Sequence, residues 1–129
     1  MAFDIQAMRA QLQTFSSSKH TPRFVLFKGD WCGDCVRGVP PTKAVIVAAG
    51  LSLVEVDVGD SETWRDPNHP LRVDQQLKLT GIPTLIEWTE NGPAVKRLGP
   101  ELESASTAAE VERLVTAFVV EAQLRAAKG

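Results

Sequence analysis

Phe24-Val25-Leu26-Phe27-Lys28-Gly29-Asp30-Trp31-Cys32-Gly33-Asp34-Cys35 is the stretch on which the fold turns. Its first four residues form a wholly apolar run, as expected of a strand covered on both faces. The run delivers Cys32 at its carboxyl end. From Cys35 a helical stretch passes through Val39, Ala44 and Ile46 to an end cap at Gly50, with Pro40 and Pro41 expected to kink or divide it. Leu51 to Val58, rich in Val and Leu, reads as a second buried strand. Phe24 to Val58 is therefore one strand–helix–strand unit of parallel type.

On the amino-terminal side, Ile5, Met8, Leu12 and Phe15 recur at helical spacing, and Lys19, His20 and Pro22 supply basic end residues and a stop. On the other side, Gly59 to Pro70 reads as polar loop. Leu71 to Leu79 reads as a short helix with Val73 and Leu77 inward. Thr84 to Trp88 and Ala94 to Leu98 flank Glu90-Asn91-Gly92-Pro93, whose Asn-Gly pair favours a tight antiparallel hairpin, and Pro93 assigns the last strand to an edge. Thr107 and Glu110 have capping-box spacing. Val111, Leu114, Val115, Phe118, Val119 and Ala122 follow as one apolar helical stripe, read as core. The order α-βαβ-α-ββ-α gives an α/β fold, a mixed β-sheet sandwiched by helices.

Composition sets the outer limits. With 129 residues, 43% of them hydrophobic, the chain is read as a single domain over 1–129 with a real core. Charged residues make up 23%, the signs are interspersed and the net charge is -2, so nucleic acid is not an expected partner. No apolar run approaches a membrane span, and the first fifteen residues do not read as a signal peptide. A single close cysteine pair is no secreted disulfide framework; it points to redox or metal chemistry in a reducing, cytoplasmic setting.

Disulfide exchange needs a thiolate that attacks in line and a second thiol near enough to resolve the mixed disulfide. The spacing of Cys32 and Cys35 supplies that proximity. At a helix start, Cys32 gains unpaired amide donors and the positive end of the macrodipole, whereas Cys35 sits one turn inside and more shielded. Cys32 is therefore assigned as nucleophile and Cys35 as resolving thiol. A structural zinc takes four ligands, and the other candidates, His20 and His69, lack zinc-finger spacing. Both histidines are read as surface residues, and no metal is expected. Serine-elbow, phosphate-loop and His-Glu metalloprotease motifs are absent.

Taken together, Trp31-Cys32-Gly33-Asp34-Cys35 after an apolar strand, Pro40 five residues beyond the second cysteine, and Gly81-Ile82-Pro83-Thr84 before a strand resemble the thioredoxins. The resemblance covers nearly the whole chain and implies a cis bond between Ile82 and Pro83 beside Cys32. A narrower likeness is carried by Trp64-Arg65-Asp66-Pro67-Asn68, Leu77-Lys78-Leu79-Thr80 and Pro83-Thr84-Leu85. These look like the cytosolic thioredoxin-related proteins of the Clot group, whose motif is Trp-Cys-Pro-Asp-Cys. Asp34 matches that group, whereas Gly33 matches ordinary thioredoxins. Thioredoxins carry a buried acid six residues before the nucleophile, and this chain has Leu26 there. Asp34 is the nearest substitute, although a carboxylate beside Cys32 opposes the thiolate while favouring the helix start.

The resemblance implies a thiol–disulfide oxidoreductase, a disulfide reductase acting on disulfide-containing proteins or small disulfides. It implies no bound cofactor, electrons from NADPH through a thioredoxin reductase-like donor, and a monomer. Trp31, Gly33, Ile82 and Pro83 are expected to form the substrate face. Trp64, Arg65 and Asp66 are expected to reach its rim and narrow the substrate range, because the 59–70 connection is longer than a structural link requires; the equal alternative is that Trp64 packs the loop down while Asp66-Pro67-Asn68 makes a turn. Two other readings stay open. One is a binding module using Trp31, Ile82 and Pro83 as an apolar groove with little turnover; the other is a disulfide oxidant or isomerase.

Overall fold

A computed structural model of the chain describes residues 3–15 and 21–128. Helix α1 (Ile5–Gln13) is capped by Asp4, whose carboxylate accepts from the Ala7 N–H at 3.0 Å. It ends one residue before Thr14, so Phe15 lies beyond the helix yet still packs on the core. The end signals at Lys19 and His20 fall outside the described residues.

β1 (Arg23–Lys28), α2 (Gly33–Ala48) and β2 (Ser52–Asp57) form the anticipated parallel unit. β1 is the interior strand on which the sheet is assembled. It pairs in parallel with β2 and antiparallel with β3 (Thr84–Thr89), which pairs antiparallel with β4 (Gly92–Leu98). The order is β2-β1-β3-β4, with β4 at an edge as Pro93 requires. Pro40 and Pro41 do not divide α2. Each removes one main-chain donor, opposite the turn of exposed Val36 and half-buried Arg37, and Pro40 itself faces solvent.

Alternation along β1 splits its side chains between two cores. Val25 and Phe27 join Met8, Leu12, Ile86, Trp88 and both cysteines on one face. Phe24 and Leu26 join Ile46, Leu85 and the inner stripe of α6 (Ala108–Lys128) on the other. All five β1 residues Arg23–Phe27 are buried, the burial that an uninterrupted apolar run implies. The stripe of α6 is core as read, with Leu114 only partly covered. Its start is half of a capping box. Thr107 Oγ1 accepts from the Glu110 N–H at 3.1 Å, but the Glu110 carboxylate turns to Ser106, accepting from its hydroxyl at 3.0 Å.

Between β2 and β3 the chain departs from the expected loop and helix. The 59–70 stretch contains α3 (Ser61–Arg65), and α4 is the single turn Pro70–Val73. Val73 is 57% exposed, whereas Leu71, Leu77 and Leu79 point inward. The turn stops at Val73 because the Asp74 carboxylate takes the Gln76 and Leu77 N–H groups, both at 3.1 Å, and caps a new turn. α5 (Pro100–Ser104) lies between β4 and α6, where no helix is foreseen from periodicity.

Candidate active site

Cys32 is the N-cap of α2: its Sγ accepts from the Cys35 N–H at 3.2 Å and lies 3.8 Å from the Ile82 carbonyl. The two cysteines are unlinked and differ less in cover than the sequence implies, Cys32 being 8% exposed and Cys35 2%. Their environments still differ in kind. Burial first, and then the hydrogen bond with Cys32, push the Cys35 thiol up to about 12, with a Gly29 backbone hydrogen bond opposing. Cys35 therefore stays protonated through the neutral range.

The rest of the site is assembled from distant segments. Trp31 is 39% exposed, and its ring lies on Gly29, where an added Cβ would come within 2.9 Å of the indole. The indole N–H donates to the Gly59 carbonyl at 2.7 Å, fixing the ring over the end of the sheet. The Ile82–Pro83 peptide bond is cis. Pro83 lies against α2, 3.5 Å from where a Gly38 Cβ would stand.

Ile82 and Pro83 do not present the exposed apolar groove foreseen for them. Ile82 is 5% exposed and Pro83 is buried, because the Ile82 side chain joins the core and Pro83 lies against Gly38 of α2, with the Ile82 carbonyl beside Cys32. The apolar surface at the site belongs instead to Trp31 and to Val36, which is 66% exposed one turn along α2 from Cys32. Motif reasoning passes over Val36, although its four-residue spacing from Cys32 on the same helix is a readable signal.

The 61–66 segment takes the packed alternative over the rim. Trp64 is 4% exposed and does not reach the rim. Its ring packs edge-on to His69 at 5.1 Å between centroids and beneath the Arg72 guanidinium at 3.9 Å, and Arg72 Nε donates to the Trp64 carbonyl. Asp66 makes a turn, accepting from the Asn68 N–H at 2.9 Å, and Arg65 is exposed. The connection's contribution to the site is the Gly59 carbonyl, which precedes this segment. His69 is not a surface residue either: its ring is 2% exposed, bonded through Nε2 to the Val58 carbonyl and through Nδ1 to the Leu71 N–H. In the second bond the Leu71 N–H donates and Nδ1 accepts. Among the described residues no group of three His, Cys, Asp or Glu side chains is placed to hold a metal ion; His20 lies outside them.

Asp34 pairs with Arg37 at 2.7 Å, and its charge disfavours ionisation of Cys35, the smallest of the influences on that thiol. Leu26, at the position of the thioredoxin acid, is fully buried in the α6-side core, whereas both cysteines belong to the opposite one.

A cysteine at a helix start, a covered second thiol one turn on and a proline loop facing the first sulfur make an arrangement suited to thiol–disulfide chemistry. Residues 2–116 match the family model described as thioredoxin domain-containing protein 17-like, thioredoxin domain. The chain belongs to this family. Within it lie the Clot proteins of plants: thioredoxin-like protein Clot of Oryza sativa subsp. japonica is 43% identical over 93 residues, 67% of this chain and 65% of its own. Clot of Arabidopsis thaliana is 35% identical over 102 residues, 71% and 75% of the two chains. The chain thus spans roughly two thirds to three quarters of these relatives' lengths. Among solved structures, a disulphide isomerase from Xylella fastidiosa Temecula1 superposes with a TM-score of 0.58 over 90% of this chain and 92% of its own, at 18% identity, a likeness of fold. The DsbH oxidoreductase gives 0.50 at 27% identity over 84% and 81%. No helix among the described residues of this Clot-type chain is long and apolar enough to cross a membrane.

Proposed function

We propose that this Clot-type thioredoxin-like protein is a disulfide reductase in which Cys32 attacks and Cys35 resolves. The observation that carries the reading is the placement of Cys32 Sγ between the Cys35 N–H and the Ile82 carbonyl, at 3.2 and 3.8 Å. The Cys32 thiolate forms a bond to one substrate sulfur as the substrate S–S bond breaks, and the departing thiolate takes a proton. Cys35 then loses its proton and attacks Cys32 Sγ, expelling the second substrate thiol and leaving a Cys32–Cys35 disulfide. Two electrons and two protons pass to the substrate. The reducing direction is favoured because the Cys35 thiolate is disfavoured by burial, so ionisation of that thiol does not stabilise the reduced form.

Substrates are disulfide-containing proteins or small disulfides, docked on Trp31, Gly33 and Val36 with the Ile82 main chain available for strand-like pairing. A thioredoxin reductase-like donor fed by NADPH restores the dithiol in the cytoplasm, and the protein works as a monomer with no bound cofactor. Trp64, Arg65 and Asp66 are not given a substrate role.

A single-turnover experiment tests this reading. Reduced protein mixed with bis(2-hydroxyethyl) disulfide should release thiol and lose two hydrogen masses per chain; no release would overturn it. The same preparation should be alkylated by iodoacetamide at Cys32, with Cys35 unmodified between about pH 6 and 9. Raising a thiol's pKa keeps it protonated below that value, and only the thiolate reacts. Equal labelling of the two cysteines at neutral pH, read by mass spectrometry of peptides, would exchange or erase the assigned roles.

A further inference from the structure

α5 brings a carboxylate to the edge of the cysteine site. Glu103 is half-buried, and its Oε1 lies so close to Gly81 that a Cβ there would stand 2.2 Å from it. Glycine at position 81 is the space that the carboxylate occupies. Gly81 immediately precedes Ile82, whose carbonyl faces Cys32 Sγ at 3.8 Å.

The main chain beneath Glu103 is held by α2. Arg37 Nε donates to the Ala105 carbonyl at 2.8 Å and Nη2 to the Glu103 carbonyl at 3.4 Å, while Nη2 also pairs with Asp34 at 2.7 Å. Two acids therefore border the site from different elements, and they are not equivalent. Asp34 has its counter-ion in Arg37. Among the described residues no side chain donates a hydrogen bond to the Glu103 carboxylate. Burial and then the charge of Asp34 raise the Glu103 carboxyl above the usual carboxylate range. A partly dehydrated carboxylate without a counter-ion at the border of a binding groove favours an incoming cation and disfavours an anion.

The geometry points to Glu103 as the residue that selects disulfides by charge, favouring substrates with an ammonium or guanidinium group near the disulfide over those with a carboxylate there. The inference rests on the reading of Cys32 as the attacking thiol, and it assigns to that site a preference that neither cysteine can supply.

The test compares second-order rates of the reduced protein with cystamine, 3,3′-dithiodipropionate and the neutral bis(2-hydroxyethyl) disulfide at low salt. Cystamine should outpace dithiodipropionate, and Glu103→Gln, which keeps the shape over Gly81, should cut that ratio about five-fold while sparing the neutral disulfide. Glu103→Lys should move the ratio further in the same direction. Added salt should narrow the wild-type ratio as the charges are screened. Glu112→Gln, the same charge change on α6, should leave it alone.

A second readout needs no turnover. The rate of Cys32 alkylation by iodoacetate, divided by that by neutral iodoacetamide, should rise about two-fold in Glu103→Gln. Disulfide turnover with neither ratio moved by Glu103→Gln overturns the role of Glu103 and leaves the reductase reading intact. A shifted alkylation ratio without disulfide turnover overturns the reductase reading and supports the electrostatic role.

Discussion

Replacing Cys32 by Ser is expected to abolish disulfide reduction, with a loss on the order of a thousand-fold or more, because the remaining thiol, Cys35, is covered and held protonated. Cys35→Ser should behave differently. Attack by Cys32 remains possible and resolution does not, so substrate accumulates covalently on Cys32. The two variants separate the roles by what they retain. Coupled NADPH consumption with a reductase and a model disulfide should vanish in both, but only Cys35→Ser should carry a substrate adduct by mass spectrometry. Adduct on Cys32→Ser instead would reverse the assignment. Turnover that survives Cys32→Ser would remove this site from the chemistry. Both side chains are nearly covered, and Ser is smaller than Cys by little, so the fold should persist in either variant.

The second large effect concerns stability. Trp64→Ala is expected to destabilise the protein by about 3–5 kcal/mol, the usual range for deleting a buried large aromatic ring. The ring is held between His69 and the Arg72 guanidinium within the same core as Leu71 and Leu77. Its removal leaves a cavity and strips a partner from each. Chemical denaturation should record a lower midpoint, and at low temperature the folded variant should keep the wild-type ratio of activity on a protein disulfide to that on cystine. Arg65→Ala provides the companion, being exposed and cheap to change. If Arg65→Ala alters that ratio, the segment does meet substrate and its placement as purely structural is wrong.

Where a residue's place follows from periodicity or from a local covalent constraint, the amino-acid sequence alone makes it legible. Phe24 to Phe27 form a doubly covered strand, Pro93 sits on an edge strand, and Val111 to Ala122 line a core face. The cysteine pair and the proline loop are legible because short motifs carry them. What escapes is held by contacts with no periodic signature. His69 is buried through bonds to the Val58 carbonyl and the Leu71 N–H, and Val73 is outside because Asp74 ends its turn. Trp64 reads as a rim residue on the length of its connection alone, yet one aromatic ring among charges is what pins such a loop to the core. Glu103 has no signal in its own sequence surroundings. Its partner in space is a glycine twenty-two positions earlier, and α5 is only five residues long.

The Arg37 tie from α2 to the Glu103 and Ala105 carbonyls has a consequence for how the protein is made. The site joins residues 29–35, 59, 81–83 and 103–105, so it closes only after most of the chain exists. At roughly 5–20 residues per second, the thiols leave the ribosome several seconds before their anchor does. Until Leu71 to Trp88 have also emerged, the core that covers Cys35 is incomplete and the protection that keeps it inert is missing. Nascent chains stalled near residue 95 should therefore label at both cysteines with iodoacetamide, and chains released at full length at Cys32 alone. Equal protection of Cys35 at both lengths would mean that its cover forms without the residues still inside the ribosome. During its own synthesis, then, this redox protein relies on the reducing power of its surroundings to keep both thiols free.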